Sequence, residues 1–269
     1  MSSFFSGKVV AVTGGTDGIG KAMIDELVTL GAKIATCGRS HDKIYNLQMQ
    51  YASVLLHAVV CDVSIEQDCK KFVDSTIETF GGIDILINNA GISMRALVKD
   101  LELDVIRRIM DVNFYGAVYC TKYALPSIVE RKGTVVGISS VAGIRGLPGR
   151  SGYSASKFAL QGWLEALRTE LMDDDVNVMW VCPGFTSSNI RFTALNEKGA
   201  SQIDNPMDEN KMMSAAECAR IILKSVEKHK RNPLISFQAV QTSILNKFFP
   251  SLTDKLIHKF YFKNGKLVK

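Results

Sequence analysis

Seven short apolar runs recur along the chain, and amphipathic stretches that suit helices separate them. Each run has five or six residues, is rich in valine and isoleucine, and is nearly continuous rather than alternating. Continuous apolar strands are typical of a parallel sheet that is buried on both faces. The pattern therefore predicts an α/β fold: a doubly wound parallel sheet of about seven strands with helices on both faces. The runs lie at residues 8–12, 33–37, 55–60, 84–88, 134–139, 176–181 and 233–237.

The length of 269 residues fits one domain of this kind, so we expect a single domain over residues 1–269. Two parts differ from the rest in composition. Residues 186–213 are polar and helix-poor, and we predict that they form a substrate lid. Residues 239–269 form a basic, amphipathic C-terminal extension.

Composition also narrows the classes of function. No run of 18 apolar residues and no charged leader is visible, so we expect neither a membrane span nor a secretory signal. The six cysteines and four histidines are scattered without metal-ligand spacing, which predicts no metal site and a reducing, cytoplasmic compartment. The net charge of +5 is concentrated in the tail without a recognition motif, so we expect no nucleic-acid partner.

A glycine-rich turn, TGGTDGIG at residues 13–20, joins the first apolar run to a helix. Glycines in such a turn let a pyrophosphate approach backbone N–H groups at the helix N-terminus, as in Rossmann-type folds. Packing alone also explains some glycine-rich turns, but the strand–turn–helix context favours a phosphate site. The residues predicted to bind a dinucleotide here are Gly14, Thr16, Asp17, Gly18, Ile19 and Gly20.

The second apolar run ends at CGRS, without the acidic residue that would bind the ribose 2′-hydroxyl of NAD. Arg39 lies 19 residues after Gly20, where a guanidinium can clamp the 2′-phosphate of NADP. A solvated loop arginine is the alternative, and Asp17 adds a charge of the wrong sign. We predict that NADP(H) is favoured over NAD(H).

Polar residues also follow the third and fourth runs, where open parallel sheets bind ligands. These are Asp62 and Val63, and then Asn89, Ala90 and Gly91. The alternative is that Asp62 and Asn89 merely cap the segments that follow.

Tyr153 and Lys157 stand four residues apart in GYSASK, with only small residues between them. Positions i and i+4 share one face of a helix, so the two side chains are expected to be neighbours. A nearby cation favours a phenolate and lowers the pKa of the phenol toward the range in which it exchanges protons.

Seven motifs together resemble the short-chain dehydrogenase/reductase superfamily, in its single-domain branch. They are TGGTDGIG, CDV, NNAG, DVNFYG, ISS, YSASK and PGFTSS, in the family's order and spacing across about residues 7–190. The resemblance implies that Tyr153 is the acid/base and that Lys157 holds the nicotinamide ribose and lowers the pKa of the phenol. It implies that Ser140, rather than Ser139, hydrogen-bonds the substrate oxygen and that Asn113 holds a water in the proton relay.

The PGFTSS segment completes this resemblance at the nicotinamide. Pro183 and Gly184 match the family's turn beside the ring, and Ser188 takes the place of a residue that contacts the carboxamide. Thr186 stands where an aliphatic residue is common, so the chain departs from the family's pattern beside the carboxamide. The implied activity is NADP-dependent interconversion of a ketone or aldehyde and an alcohol. NAD-dependent alcohol oxidation, an epimerase or dehydratase, and a non-catalytic sensor are the alternatives.

The substrate and partners are predicted from the remaining segments. We expect a mainly apolar pocket and a lipophilic substrate of sterol, acyl or long-chain ketone type. The residues behind this expectation are Met94, Ile144, Leu147, Phe185, Ile190 and Phe192. The basic tail, 239–269, suits peripheral contact with an anionic membrane surface, or packing on the body as the alternative. Most members of the family assemble through the helices that bear Asn113 and Tyr153, so we expect a homodimer or homotetramer.

Overall fold

The computed structural model describes residues 3–202 and 212–268, and it contains a six-stranded parallel sheet. The strands lie in the order β3-β2-β1-β4-β5-β6, and each neighbouring pair is parallel. The order reverses between β1 and β4, which is the Rossmann-type, doubly wound arrangement that the sequence predicts. The strands are β1 (Val9–Thr13), β2 (Lys33–Gly38), β3 (Leu56–Val60), β4 (Ile85–Asn88), β5 (Thr134–Ile138) and β6 (Asn177–Val181).

The prediction of a seventh strand is wrong, because the described residues form six strands in this sheet. The run at 233–237 extends the sheet only through one parallel bridge between Cys182 and Leu234. Pro233 has no N–H group to donate to a ladder. Ser236 already caps the next helix with its side chain, so the chain leaves the extended conformation after the bridge.

Helices connect the strands and continue beyond them to the C-terminal region. They are α1 (Gly18–Thr29), α2 (His41–Gln50), α3 (Glu66–Phe80), α4 (Leu103–Met110), α5 (Gly116–Glu130), α6 (Ser151–Glu170), α7 (Ala215–Glu227), α8 (Phe237–Phe248) and α9 (Pro250–Tyr261). A two-stranded antiparallel hairpin, β7 (Phe262–Lys263) and β8 (Lys266–Leu267), follows α9. Among the described residues, no helix combines the length and apolar character needed to cross a bilayer.

Two apolar layers flank the sheet. Side chains of α3, α5 and α6 pack on one face, and those of α1, α2 and α7 pack on the other. Within β1, Ala11 belongs to the first layer, whereas Val10 and Val12 belong to the second. Because both faces are buried, each strand needs apolar residues at successive positions, which explains the continuous runs in the sequence.

Candidate active site

A cleft of about 1090 Å³ runs along the carboxyl ends of the parallel strands. Its walls come from the loops that follow the strands, which is where open α/β sheets bind ligands. The structure brings nearly all of the predicted site residues to this one cleft. Its lining includes Gly14, Thr16, Asp17, Gly18, Ile19, Gly20, Arg39, Asp62, Val63, Asn89, Ala90, Gly91, Ser140, Tyr153, Lys157, Pro183, Gly184, Thr186 and Ser188.

The glycine turn between β1 and α1 forms a cradle that leaves its backbone accessible. Gly14 and Gly18 have φ angles of +70° and +53°, which other residues rarely adopt. A Cβ atom on Gly20 would lie 2.1 Å from the carbonyl oxygen of Gly14, so no side chain fits there. The cradle opens at the N-terminus of α1, where the helix dipole favours a negative charge. These features fit the pyrophosphate of a dinucleotide.

Asp17 links this cradle to two other parts of the cleft. Its carboxylate caps α1 by accepting from the backbone N–H of Gly18 at 2.7 Å. It also accepts from Lys43 of α2 at 2.5 Å and from the side-chain amide of Asn189 at 3.0 Å. Burial alone would raise the pKa of Asp17, but these hydrogen bonds outweigh it and lower the pKa. The negative charge of Asp17, which would repel the 2′-phosphate of NADP, is therefore paired with the ammonium group of Lys43.

Hydrogen bonds join the ends of β1 and β4 at the point where the strand order reverses. The Thr13 hydroxyl accepts from the backbone N–H groups of Asn89 and Ala90, each at 3.0 Å. The Asn89 amide donates to the carbonyl oxygens of Thr13 and Gly14, at 2.9 and 3.2 Å. Asn89 therefore positions the glycine cradle and is more than a cap of the segment that follows β4.

Arg39 follows directly after β2, and its side chain lines the cleft and is 61% exposed. Its guanidinium lies 4.0 Å from the carboxylate of Asp62. Asp62 also accepts from the backbone N–H and the hydroxyl of Ser64, at 3.0 and 2.7 Å. Asp62 thus caps the turn after β3, which is the alternative role considered for it in the sequence analysis. It also lines the cleft.

Asn113 is the one predicted catalytic residue that does not line the cleft. It lies in a π-helical turn, Asp111–Tyr115, between α4 and α5, and such turns often occur at functional sites. Its amide oxygen accepts from the backbone N–H of Ile92 at 2.8 Å, and its NH₂ group donates to the carbonyl of Ile92 and the hydroxyl of Ser156. The side chain is buried and fixes the loop after β4 against α6.

Tyr153 lies in the first turn of α6, and Ser140 follows β5. Burial raises the pKa of the Tyr153 phenol, and this is opposite in direction to the expectation from the sequence. A hydrogen bond from Ser140 and the positive charges of Arg150 and Arg191 act in the lowering direction but do not outweigh burial. The Ser140 hydroxyl thus lies beside the Tyr153 phenol, and both residues line the cleft.

Lys157 is 4% exposed and donates to the carbonyl oxygen of Ile138 at 2.8 Å. Burial lowers the pKa of its ammonium to about 8. Its nitrogen lies close to the loop after β4, since a Cβ atom on Gly91 would be 3.6 Å away. Lys157 therefore stands between the cofactor side of the cleft and Tyr153.

Ser139 differs from its neighbour Ser140. Its buried hydroxyl accepts from the side-chain amide of Gln161 of α6 at 2.7 Å. This contact gives Ser139 a structural partner on α6. The Ser140 hydroxyl accepts from the backbone N–H of Ala142 at 3.2 Å and also lies beside the phenol of Tyr153. Both serines line the cleft, and the assignment of Ser140 to the substrate oxygen stays a prediction.

The segment after β6 closes the cleft beside the glycine cradle. The side chain of Ser188 faces Gly18, on which a Cβ atom would lie 3.3 Å from the Cβ of Ser188. Thr186 is buried and forms a parallel bridge with Met213. Of the predicted lid, 186–213, residues 203–211 lie outside the described residues.

The substrate end of the cleft is more polar than the sequence suggests. Leu147, Phe185 and Ile190 line it as expected, but Met94, Ile144 and Phe192 do not. Met94 is fully buried against α4, and Phe192 is 40% exposed outside the lining. Residues that the sequence analysis missed also line it, namely Arg150, Arg191, Gln238, Gln241, Thr242 and Tyr261.

Four of these six residues had a signal in the sequence. Gln238, Gln241 and Thr242 have the i, i+3, i+4 spacing of one helix face, here on α8. Arg150 is a charged residue just before the first turn of the helix that bears Tyr153. Tyr261 had no such signal, because its burial depends on how α9 folds back over the cleft.

Comparison with known proteins agrees with this geometry. A family model described as short chain dehydrogenase matches residues 8–199. "Dehydrogenase/reductase SDR family member 7B" of Rattus norvegicus is 35% identical over 245 residues, which cover 87% of this chain and 75% of that protein. "11-beta-hydroxysteroid dehydrogenase-like 2" of Arabidopsis thaliana is 36% identical over 225 residues, covering 82% and 71%.

A solved structure shows the same fold. It is a short chain dehydrogenase/reductase from Burkholderia phymatum in complex with NAD, and its TM-score is 0.83 at 21% identity. The match covers 94% of this chain and 96% of that chain.

Proposed function

The chain belongs to the short-chain dehydrogenase family and is a nicotinamide-dependent oxidoreductase, and we propose that it uses NADP(H) to interconvert a lipophilic ketone or aldehyde and the corresponding alcohol. The observation that carries the NADP assignment is the position of Arg39. It follows β2, at the site where an acidic residue would select NAD, and its guanidinium is solvent-accessible. The pairing of Asp17 with Lys43 removes much of the charge that would repel a 2′-phosphate.

Fluorescence titration with NADPH and NADH tests this assignment. The wild-type protein should bind NADPH more tightly, and Arg39→Ala should weaken NADPH binding by about tenfold with little effect on NADH, since a charge-assisted hydrogen bond is lost. Arg107→Ala is the matched control, because Arg107 is an exposed arginine on α4 outside the cleft. Tighter NADH binding, as the NAD complex of the Burkholderia relative would suggest, or an unaffected Arg39→Ala variant would overturn the assignment.

The residues at the centre of the cleft have separate roles in the proposed reaction. When bound, the nicotinamide supplies or accepts the hydride at its C4 carbon. Tyr153 donates a proton to the substrate oxygen during reduction and removes it during oxidation. Ser140 hydrogen-bonds the same oxygen, and Lys157 holds the nicotinamide ribose. Asn113 positions the loop after β4 and, by resemblance, holds a water of the proton relay.

The apolar wall at the far end of the cleft supports a lipophilic substrate. Leu256, Ile257 and Phe260 of α9 line it together with Phe185. The Arabidopsis relative, whose name refers to a hydroxysteroid dehydrogenase, is consistent with such a substrate. We propose that segment 186–213 acts as the lid over this end.

The same helix pair, α8 and α9, supports peripheral contact with an anionic membrane surface. Its outer side exposes Phe237, Ile244, Phe248, Phe249 and Leu252. Lysines at 247, 255 and 259 lie among them, and basic residues around an apolar face favour anionic lipids. We place the protein in a reducing, cytoplasmic compartment at such a surface, and its six buried free thiols are consistent with this.

An oligomer assembled through α5 and α6 completes the proposal. Phe158 of α6 and Tyr115 of the π-helical turn are 47% and 43% exposed on the layer that these helices form. Large exposed aromatic side chains are typical of interfaces between subunits. We expect a homodimer or homotetramer built from this face.

A further inference from the structure

We propose that Arg150 binds a carboxylate on the substrate, so that the physiological substrate is an amphipathic oxo acid or hydroxy acid rather than a neutral ketone or alcohol. This inference rests on the proposed function and specifies its substrate class. Arg150 lines the same cleft as Tyr153 and stands three positions before it, at the start of α6.

Arg150 is a buried cation with an unfilled hydrogen-bonding capacity. It is 9% exposed, and its Nε–H group is buried without a partner. None of the ion pairs among the described residues involves Arg150. A buried guanidinium normally pairs with a carboxylate, because an unpaired buried charge is costly.

The surroundings of Arg150 hold it in place without neutralising it. The side chain donates to the hydroxyl of Tyr261, which comes from the end of α9 and is 2% exposed. No acidic residue lies in the first turn of α6, so the helix dipole adds to the positive charge at this end. An anion bound here would meet both the guanidinium and the favourable end of the helix.

The charges of the cleft are divided between its two ends. Among the described lining residues, the acidic side chains are Asp17 and Asp62, and both lie toward the cofactor end. Arg108, Arg150 and Arg191 line the cleft outside that end, and Arg108 donates to the carbonyl oxygen of Gly199 at 2.9 Å. Arg150 and Arg191 also act on the pKa of Tyr153. Arg191 donates to the carbonyl oxygen of Thr186 at 2.8 Å. Arg150 is therefore the cation that we assign to the substrate.

A substrate that fits this end has two parts. Its carboxylate would accept two parallel hydrogen bonds from the guanidinium of Arg150, in the bidentate geometry that arginine favours. Its apolar chain would lie along Leu256, Ile257 and Phe260 of α9. In the reaction, hydride adds to the ketone carbon, Tyr153 gives its proton to the ketone oxygen, and the carboxylate leaves unchanged as part of the hydroxy acid.

Turnover of matched acids and esters with NADPH tests the proposal. The probes are 2-oxo-, 4-oxo- and 5-oxodecanoate and their methyl esters, so that the carboxylate varies in its distance from the ketone. At least one acid should exceed its ester in kcat/KM, mainly through KM. In Arg150→Met the ratio of acid to ester should fall by about 10-fold or more, as expected for loss of a charged hydrogen bond, and Arg150→Lys should retain part of it.

Arg145→Met is the matched control. Arg145 is also an arginine in the loop after β5, but it contacts Asn246 of α8 and Asp254 of α9 outside the cleft. This variant should keep the acid-to-ester ratio of the wild type. An equal fall for acid and ester in Arg150→Met would mean a structural role, and a wild-type preference for the esters would also overturn the proposal.

Binding of decanoate, measured by calorimetry in the presence of NADP⁺, separates this proposal from the proposed function. Decanoate should bind more tightly than 1-decanol, and Arg150→Met should remove that difference. If decanoate binds through Arg150 but none of the oxo compounds is reduced, the anion site stands and the carbonyl-reductase proposal fails. If neutral ketones are reduced and decanoate binds no better than decanol, the anion site fails and the reductase proposal stands.

Discussion

The ammonium nitrogen of Lys157 lies 5.7 Å from the centre of the Tyr153 ring, and it donates to the carbonyl oxygen of Ile138 at 2.8 Å. The spacing of four residues on α6 brings the two side chains together. The contact with Ile138 anchors the cation to the end of β5. The sheet and the helix thus fix the positions of both side chains. Burial also lowers the pKa of Lys157 to about 8, so its charge changes near neutral pH.

Replacing Lys157 with methionine should change how stability depends on pH. Burial lowers the pKa of Lys157 to about 8 in the folded protein, whereas an unfolded lysine titrates near ~10.4. The charged form is therefore disfavoured in the native state. This cost is fully present below about pH 8 and is lost as the pH rises through the unfolded pKa.

Denaturant titrations of both proteins at pH 7 and pH 10.5 measure this effect. Relative to Lys157→Met, the wild type should gain up to about 3 kcal/mol of unfolding free energy between the two pH values. A difference between the two proteins that is the same at both pH values would contradict the burial of a charged Lys157.

Ser140 and Ser139 should respond differently to substitution by alanine. Ser140→Ala removes a hydroxyl that lies beside Tyr153 and that hydrogen-bonds the substrate oxygen in the proposed reaction, so kcat should fall by about 100-fold. Ser139→Ala removes a buried acceptor of Gln161 and should mainly lower stability, by about 1 kcal/mol. Steady-state kinetics and thermal unfolding distinguish the two effects. A larger loss of kcat in Ser139→Ala would mean that the wrong serine has been chosen.

Membrane contact should depend on the apolar tip of the C-terminal helix pair. Phe248, Phe249 and Leu252 are 64%, 56% and 48% exposed. Replacing all three with serine should abolish sedimentation with phosphatidylserine-containing vesicles at low salt. The control replaces Tyr45 and Met49, each 60% exposed on α2, with serine and should still bind. Absence of wild-type binding at low salt would end this part of the proposal.

Charge introduced at the exposed aromatic face of α6 should disrupt assembly. Light scattering at micromolar concentration should give the mass of a dimer or tetramer for the wild type and of a monomer for Phe158→Arg. Phe158 is 47% exposed, so the monomer itself has room for the arginine. A monomeric wild type would refute the predicted oligomer.

The sheet could be predicted because its burial on both faces leaves a direct trace in the sequence. Every residue of β1 and of β5 is buried, and both segments are continuous apolar runs. The seventh run resembled the others in composition, but hydropathy does not register that Pro233 lacks an N–H group and that Ser236 caps a helix.

Most of the cofactor half of the cleft was also predictable, because its residues follow strand ends in order along the chain. The substrate half was harder, since α9 brings Tyr261 against Arg150 across more than a hundred positions. The sequence predicted a lowered pKa for Tyr153, and this direction was wrong for a related reason. Spacing shows the neighbouring cation, whereas desolvation depends on how the whole site folds.

The most direct test of the account compares wild type and Tyr153→Phe in NADPH-dependent reduction of a carbonyl substrate, with NADPH binding measured in parallel. The variant lacks only the hydroxyl that donates the proton in the proposed reaction, so turnover should fall by about 10²- to 10⁴-fold while NADPH still binds. Retention of wild-type turnover by Tyr153→Phe would contradict the assignment of Tyr153 as the acid/base, and with it the proposed reaction.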